Sequence, residues 1–184
     1  MGVRNYLIDG VSGSGKTTLA EELDRRGHHV VHGDRVLGYL GDPETGEALN
    51  LPPRDGVTDR AAWQHKHWIW NIDTVKSLAA DRRHANTFFC GGARNSHRFL
   101  ALFDTVFVLD IDLDTLNRRL AARPQDEFGG KPDERALIVR LHATREDDPK
   151  GGIAIDATAP IERVADEILR RCREIEAARP PNSD

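Results

Sequence analysis

One glycine-rich segment near the start of the chain restricts the possible folds more than any other feature. It reads Gly10-Val11-Ser12-Gly13-Ser14-Gly15-Lys16-Thr17, between a short apolar run at 6–9 and an amphipathic stretch at 17–26. Glycines let consecutive backbone N–H groups curl around an anion, and a helix that begins there adds the positive end of its dipole. The segment therefore predicts a strand, an anion-binding turn and a helix, in that order.

The same segment matches the P-loop pattern G-x-x-x-x-G-K-[ST] at every fixed position. In that motif the lysine, here Lys16, reaches the β- and γ-phosphates, and the hydroxyl of Thr17 can ligate Mg²⁺. A chance Gly/Ser-rich turn is the alternative, which the complete motif and its strand-to-helix context disfavour. We therefore expect ATP and Mg²⁺ to bind, with Thr17 as the metal ligand. The residues expected to hold the nucleotide are Gly10, Ser12, Gly13, Ser14, Gly15, Lys16, Thr17 and Thr18.

The composition is that of an ordinary globular chain. The 184 residues are 39% hydrophobic and 30% charged, with a formal net charge of −4. This balance predicts no partner among nucleic-acid polymers or membranes, because both attract basic surfaces. Cys90 and Cys172 stand far apart and outside any CxxC spacing, which favours a reduced, cytoplasmic protein. We expect a monomer or a homodimer.

Short apolar runs alternate with amphipathic stretches along the chain, which predicts an α/β fold with a parallel sheet covered on both faces. Strands are expected at 6–9, 30–31, 87–90, 105–109 and 153–155, and helices at 17–26, 61–82, 112–123, 133–147 and 161–178. Stretches rich in Gly and Pro at 41–59 and 124–132 are expected to be loops. Residues 1–178 are therefore expected to form a single domain, followed by a tail at 179–184.

Several features beyond the P-loop separate the classes of nucleotide-binding protein. The chain has no Asn/Thr-Lys-x-Asp element, with which regulatory GTPases bind guanine, and this argues against that class. The third predicted strand has no Asp at the usual Walker B position, which argues against the oligomeric ATPase machines. In their place come Asp34 after the second strand, Gly91-Gly92-Ala93-Arg94 after the third, and an Arg-bearing helix after the fourth. This order resembles that of the small P-loop kinases, which phosphorylate nucleosides, nucleoside monophosphates, shikimate or gluconate.

The resemblance covers nearly the whole chain and implies a definite architecture. It implies a P-loop NTPase three-layer sandwich whose five-stranded parallel sheet has the order 2-3-1-4-5. It also implies two mobile parts, an acceptor-binding segment at about 35–82 and a lid at about 119–145. Closure of these parts would exclude water, which is the competing acceptor.

The resemblance also suggests acceptor-side and lid residues. Asp34 is expected to orient the acceptor hydroxyl, with a helix N-cap as the alternative, and Arg35 beside it is a further acceptor contact. Arg94 matches the arginine of the Gly-Phe-Pro-Arg turn of adenylate kinases, which contacts the acceptor phosphate, although Ala93 replaces the proline. Arg119 and Arg123 match the Arg-Leu-x-x-Arg stretch that enters the lid, where guanidinium groups suit the charge of a transferring phosphoryl group. For both arginines the alternative is a solvent-exposed basic face of a helix. Asp9 has two possible roles that the sequence does not separate: support of the water shell of Mg²⁺, or hydrogen bonding to nearby backbone.

All three tryptophans fall within residues 63–70. Trp63, His67, Trp70 and Thr74 recur at i, i+4, i+7 and i+11, so within a helix over 61–82 they would share one face. A flat aromatic wall suits a nucleobase, and simple packing on the core is the alternative. The predicted function is phosphoryl transfer from ATP to a nucleoside or nucleoside monophosphate. A shikimate-, gluconate- or antibiotic-like acceptor, and a non-catalytic ATP-binding sensor, remain as alternatives.

Overall fold

A five-stranded parallel sheet forms the centre of the protein, which a computed structural model describes for residues 4–53 and 58–178. Its strands are β1 (Arg4–Asp9), β2 (His29–His32), β5 (Asn86–Cys90), β6 (Thr105–Asp110) and β7 (Ile153–Asp156). They lie in the order β2-β5-β1-β6-β7, which is the order 2-3-1-4-5 when these five strands are counted along the chain. The predicted α/β fold and sheet order are confirmed. The predicted tail at 179–184 and part of the predicted loop at 41–59 lie outside the described residues.

Helices cover both faces of this sheet. They are α1 (Lys16–Arg25), α2 (Gly33–Val36), α3 (Arg60–Lys66), α4 (Ile72–Ala79), α5 (Leu113–Ala121), α6 (Pro132–Thr144) and α7 (Ile161–Ala178), with two 3₁₀ turns at Ser96–Arg98 and Leu100–Leu102. Within the described part of the chain, none of these helices is long and apolar enough to cross a bilayer.

The side chains of β1 divide the core into two halves. Tyr6 and Ile8 pack on one face with Phe88 and Phe107, beneath α1 and α7. Leu7, between them in sequence, points to the opposite face and belongs to a second cluster with Trp70. Alternate side chains of a strand point to opposite faces, so one strand serves both clusters. Each large apolar side chain buried in this way contributes about 1.5–3 kcal/mol.

The helix predicted over 61–82 is wrong. The segment forms α3, then a short strand β4 (Trp68–Trp70), then α4. Strand β4 pairs antiparallel with β3 (Gly38–Leu40), which the sequence pattern did not predict. Aromatic and β-branched residues favour the extended form when a partner strand is available. A new helix then begins after Asn71, whose side chain accepts a hydrogen bond from the backbone N–H of Thr74 at 2.9 Å.

Candidate active site

A cavity of about 270 Å³ lies at the carboxyl ends of β1, β2 and β5, the edge where open α/β sheets bind ligands. The P-loop forms one wall, α2, α3 and β4 form a second, and residues from 128 to 148 form a third. The lining residues are Asp9, Gly10, Val11, Ser12, Lys16, Asp34, Gln64, His65, Trp68, Gly92, Arg94, Phe128, Ile138, Leu141, Asp147 and Asp148. Lys16, Asp34 and Arg94, which the sequence singled out, therefore line one cavity.

The P-loop has the backbone conformation that a phosphate cradle needs. Gly10 has φ +146°, and a Cβ added there would lie 2.9 Å from both the carbonyl oxygen of Leu109 and Ser14 Oγ. Gly15, with φ +110°, precedes the first residue of α1. Among the described residues, Ser14 Oγ is buried without a hydrogen-bond partner. Glycine is thus required at Gly10 and Gly15, by the positive φ at both and by the close approach of Leu109 and Ser14 at Gly10.

Lys16 lies against the backbone of this loop. Its ammonium group donates hydrogen bonds to the carbonyl oxygen of Gly10 and, at 3.2 Å, to that of Val11. Thr17 and Thr18 follow on the first turn of α1 with exposed side chains. A smaller cavity is lined by Lys16, Thr17 and Asp34 together, so the predicted metal ligand and the predicted acceptor carboxylate face the same space.

Arg119 and Arg123 lie against the outside of the P-loop. Arg119 donates to the carbonyl oxygen of Ser14 at 2.7 Å and to that of Ala157 at 2.9 Å, so it ties the loop to the turn after β7. Burial and the neighbouring Arg118 lower the pKa of Arg119. Arg123 donates to Ser12 Oγ at 2.9 Å. In this structure both guanidinium groups therefore hold the cradle in shape.

Asp34 lies on the first turn of α2, and its carboxylate is held by two indole groups. The Nε1 atoms of Trp68 and Trp70 lie 3.3 and 3.4 Å from Asp34 Oδ1. The N-cap of α2 is His32, so the alternative in which Asp34 caps this helix is wrong. Arg35 is exposed and lies beside the smaller cavity.

Asp9 is buried at the end of β1, beside the P-loop. Its Oδ1 accepts a hydrogen bond from the backbone N–H of Gly10 at 2.7 Å. Burial raises the pKa of Asp9 to about 6, although Lys16, the Gly10 N–H and Arg94 each act to lower it. Gly92 leaves room for this carboxylate, since a Cβ added there would lie 2.5 Å from Asp9 Oδ1.

The Arg94 side chain lines the cavity and is paired with a carboxylate. Its guanidinium group forms an ion pair with Asp147 Oδ1, and Asp147 Oδ2 lies 2.6 Å from His65 Nε2. Burial acts to raise the pKa of Asp147, but the bond to His65 and the charge of Arg94 outweigh it and lower the pKa. Neither His65 nor Asp147 was predicted as a site residue.

The aromatic wall differs from the one predicted. Trp70 is fully buried and stacks on Phe99 with ring centroids 5.5 Å apart, so only its Nε1 edge faces Asp34. Trp63 stacks on His67 at 4.2 Å, and within the described residues neither is among those that line the larger cavity. Trp68, on strand β4, lines it instead.

The remaining cavity residues lacked a usable sequence signal. Gln64 and Phe128 carry no motif, and Asp148 follows the end of α6 in a polar turn. Among the residues with described positions, no three His, Cys, Asp or Glu side chains converge on a metal position. Mg²⁺ bound with ATP needs no such cluster, since the phosphates, a Ser or Thr hydroxyl, water and one or two carboxylates provide its ligands.

Comparisons with known proteins identify the fold and the family. A family model described as "AAA domain" matches residues 7–140, from β1 into α6. No curated protein matches the sequence. Among solved structures, a shikimate kinase from Bacteroides thetaiotaomicron is 15% identical with a TM-score of 0.59, covering 92% of this chain and 98% of that one.

Two other solved structures extend the likeness. A gluconokinase from Sinorhizobium meliloti 1021 is 20% identical with a TM-score of 0.53, covering 95% of this chain and 94% of that one. A deoxyadenosine kinase from M. mycoides with bound dATP is 14% identical with a TM-score of 0.50, covering 92% and 99%. The fold is therefore that of the small P-loop kinases. Because the family model matches more than half of the chain, the protein belongs to the AAA domain family.

Proposed function

We propose that the protein is an ATP-dependent kinase that transfers the γ-phosphoryl group to a hydroxyl or phosphate oxygen of a small acceptor. One observation carries the proposal. A single cavity joins the P-loop, represented by Gly10, Ser12 and Lys16, to the carboxylate of Asp34 and to an apolar wall. Phosphoryl transfer needs this combination of a phosphate cradle, an acceptor-orienting group and a site that water can be kept out of.

The P-loop is suited to hold the phosphates of ATP. Lys16 now donates to the carbonyl oxygens of Gly10 and Val11, and phosphate oxygens are stronger acceptors for its ammonium group. The Thr17 hydroxyl, exposed in the smaller cavity, fits a ligand of Mg²⁺. Bound Mg²⁺ would neutralise charge on the phosphates, and this chain would supply one hydroxyl to hold it.

Asp34 is suited to orient the acceptor. The acceptor hydroxyl oxygen forms a bond to the γ-phosphorus, the bond between that phosphorus and the β–γ bridging oxygen breaks, and ADP leaves with the electron pair. The hydroxyl proton passes to Asp34 or, through it, to solvent. The two indole N–H groups fix one oxygen of Asp34, leaving Oδ2 for the acceptor.

The lid arginines keep their predicted role as part of this proposal. Arg119 and Arg123 lie on the P-loop backbone and on Ser12, one turn of helix apart, at the edge of the phosphate cradle. Closing of residues 119–145 over ATP would bring them nearer the transferring group, where guanidinium charge stabilises the transition state. A nucleoside or nucleoside monophosphate is the acceptor we propose first, because an indole, Trp68, lines the cavity.

The proposal is tested by ADP release from Mg–ATP with nucleosides, nucleoside monophosphates, shikimate and gluconate in separate reactions. We expect acceptor-dependent release with one class and loss of that release in Lys16→Ala. Lys76→Ala, which removes an exposed lysine on α4, is the matched control and should retain activity. Near-normal turnover in Lys16→Ala would contradict the mechanism. ATP binding with background release for every acceptor would favour a nucleotide-binding sensor.

A further inference from the structure

We propose that Asp147 makes the acceptor site selective for uncharged acceptors, because it neutralises Arg94 within the cavity. The inference rests on the proposed function and narrows its acceptor class to hydroxyl compounds without a phosphate or carboxylate group. It also reverses the role that the resemblance to adenylate kinases suggests for Arg94, which is to receive an acceptor phosphate.

The backbone of Arg94 is fixed, and so is its ion-pair partner. The N–H of Arg94 donates to the carbonyl oxygen of Trp68 at 2.9 Å, which ties the turn after β5 to strand β4. The Arg94 side chain is 18% exposed and that of Asp147 is 29% exposed. Asp147 is held from its other oxygen by His65. An acceptor anion would therefore have to displace a carboxylate that is anchored at both oxygens.

The lysine and arginine side chains that line the larger cavity are already engaged, and Arg35 lies outside this lining, beside the smaller cavity. Among the described lining residues, the lysine and arginine side chains are Lys16 and Arg94. Lys16 belongs to the phosphates of ATP, and Arg94 is paired. The lining carboxylates are Asp9, Asp34, Asp147 and Asp148, of which Asp148 has its own partner in Arg145 at 3.2 Å. A second anion in this space would meet net repulsion at low dielectric.

The rest of the wall suits a ring. The apolar side chains of Val11, Trp68, Phe128, Ile138 and Leu141 face the same space. A flat or apolar face of the acceptor can pack on them while its hydroxyl reaches Asp34. The chemistry is that of a nucleoside or a comparable uncharged hydroxylated ring. It disfavours nucleoside monophosphates, shikimate and gluconate.

The test uses pairs of acceptors that differ by one anionic group and keep the same primary hydroxyl: nucleosides with their 3′-monophosphates, which retain the 5′-hydroxyl, and glucitol with gluconate. Wild-type protein is expected to prefer the uncharged member by about tenfold or more in kcat/KM. Asp147→Asn frees Arg94 and should raise kcat/KM for the anionic member by about tenfold or more, the size expected of a gained charge-assisted hydrogen bond. The double variant Arg94→Gln/Asp147→Asn should lose that gain.

Asp166→Asn is the matched control. It removes one negative charge and breaks the ion pair between Asp166 and Arg26, at the contact between α1 and α7 and away from the cavity, while Arg26 keeps its ion pair with Glu22. It should leave the ratio between paired acceptors unchanged. If Asp166→Asn changes the ratio as much as Asp147→Asn does, the effect comes from net charge and the proposal is overturned.

Two readouts separate this inference from the proposed function. If no acceptor is phosphorylated, the kinase proposal fails. Calorimetry then still tests the preference for uncharged acceptors, by measuring how tightly each member of a pair binds in the presence of a non-hydrolysable ATP analogue. If Asp147→Asn does not fold by circular dichroism, Arg94→Gln decides: our account requires it to retain the preference for uncharged acceptors. Stronger use of the anionic members by wild type, lost in Arg94→Gln, would overturn the inference.

Discussion

Asp9→Asn should make the protein more stable at neutral pH. The Asp9 carboxyl is 4% exposed, and burial raises its pKa from an ordinary value of 3.8 to about 6. The folded protein therefore binds a proton more tightly here than the unfolded chain does. Stability contributed by this group is present below the unfolded pKa and is lost as the pH rises through the folded pKa.

The size of the effect follows from the two pKa values. Each pKa unit corresponds to about 1.4 kcal/mol, so keeping a charged Asp9 buried costs up to about 3 kcal/mol above pH 6. Asparagine carries no charge, and its Oδ1 can still accept the hydrogen bond that the Gly10 N–H now donates to Asp9. The variant should thus avoid the cost without losing the contact.

The assay is urea unfolding of wild type and Asp9→Asn at several pH values from about pH 4 to about pH 8. The difference in the free energy of unfolding between the two proteins should be near zero at the acid end and should grow to about 3 kcal/mol in favour of the variant above pH 6. Asp166→Asn, which removes an exposed carboxylate, should change stability by less than about 1 kcal/mol. A difference independent of pH, or a less stable Asp9→Asn at about pH 8, would refute the reasoning.

Two further substitutions probe the walls of the site. Gly92→Ala puts a Cβ 2.5 Å from Asp9 Oδ1 and should lower the free energy of unfolding in urea by about 1–3 kcal/mol. Lys76→Ala, at an exposed position on α4, should change it by less than about 0.5 kcal/mol, and equal losses in the two variants would contradict the crowding. Arg119→Ala removes the two bonds that tie the P-loop to the turn after β7, so calorimetry should detect about tenfold weaker Mg–ATP binding. Arg118→Ala is its control and should bind within about twofold of wild type; a similar loss there would point to net charge instead.

The central sheet could be predicted because its signals are local. The central residues of β1 and β6, at 6–8 and 106–109, form continuous apolar runs. Gly27 follows the end of α1 with φ +84°, as its position in the sequence predicts. The P-loop carries its own chemistry in its residue types. These features need no information about which distant segments meet.

The segment around β4 could not be predicted for the opposite reason. The spacing of Trp63, His67 and Trp70 fits a helix, but pairing with the three residues of β3 overrides that preference. Asn95 adds to this, since its buried side chain accepts from the backbone N–H of Trp70 and donates to the carbonyl oxygen of the same residue. A contact of this kind depends on tertiary packing, so it cannot be predicted from the spacing of residues along one segment.

The same limit applies to the candidate site. Lys16 and Asp34 could be selected from motif and strand order, whereas the pairing of Arg94 with Asp147 joins the turn after β5 to the residues that follow α6. Arg119 and Arg123 could be singled out from the Arg-Leu-x-x-Arg stretch, but their contacts with the P-loop could not be predicted. Charge pairing between distant segments decides what an arginine can bind, and it is visible only in the folded chain.

Transfer of the terminal phosphoryl group of ATP to an acceptor is the central claim, and the most direct test follows that group itself. The protein is incubated with Mg–ATP labelled with ¹⁸O in the γ-phosphate and with a set of nucleosides, and mass spectrometry locates the label. Our account predicts labelled phosphate on a nucleoside hydroxyl with wild type and none with Lys16→Ala. Label found only in inorganic phosphate, or remaining in ATP that is bound but not consumed, would contradict it.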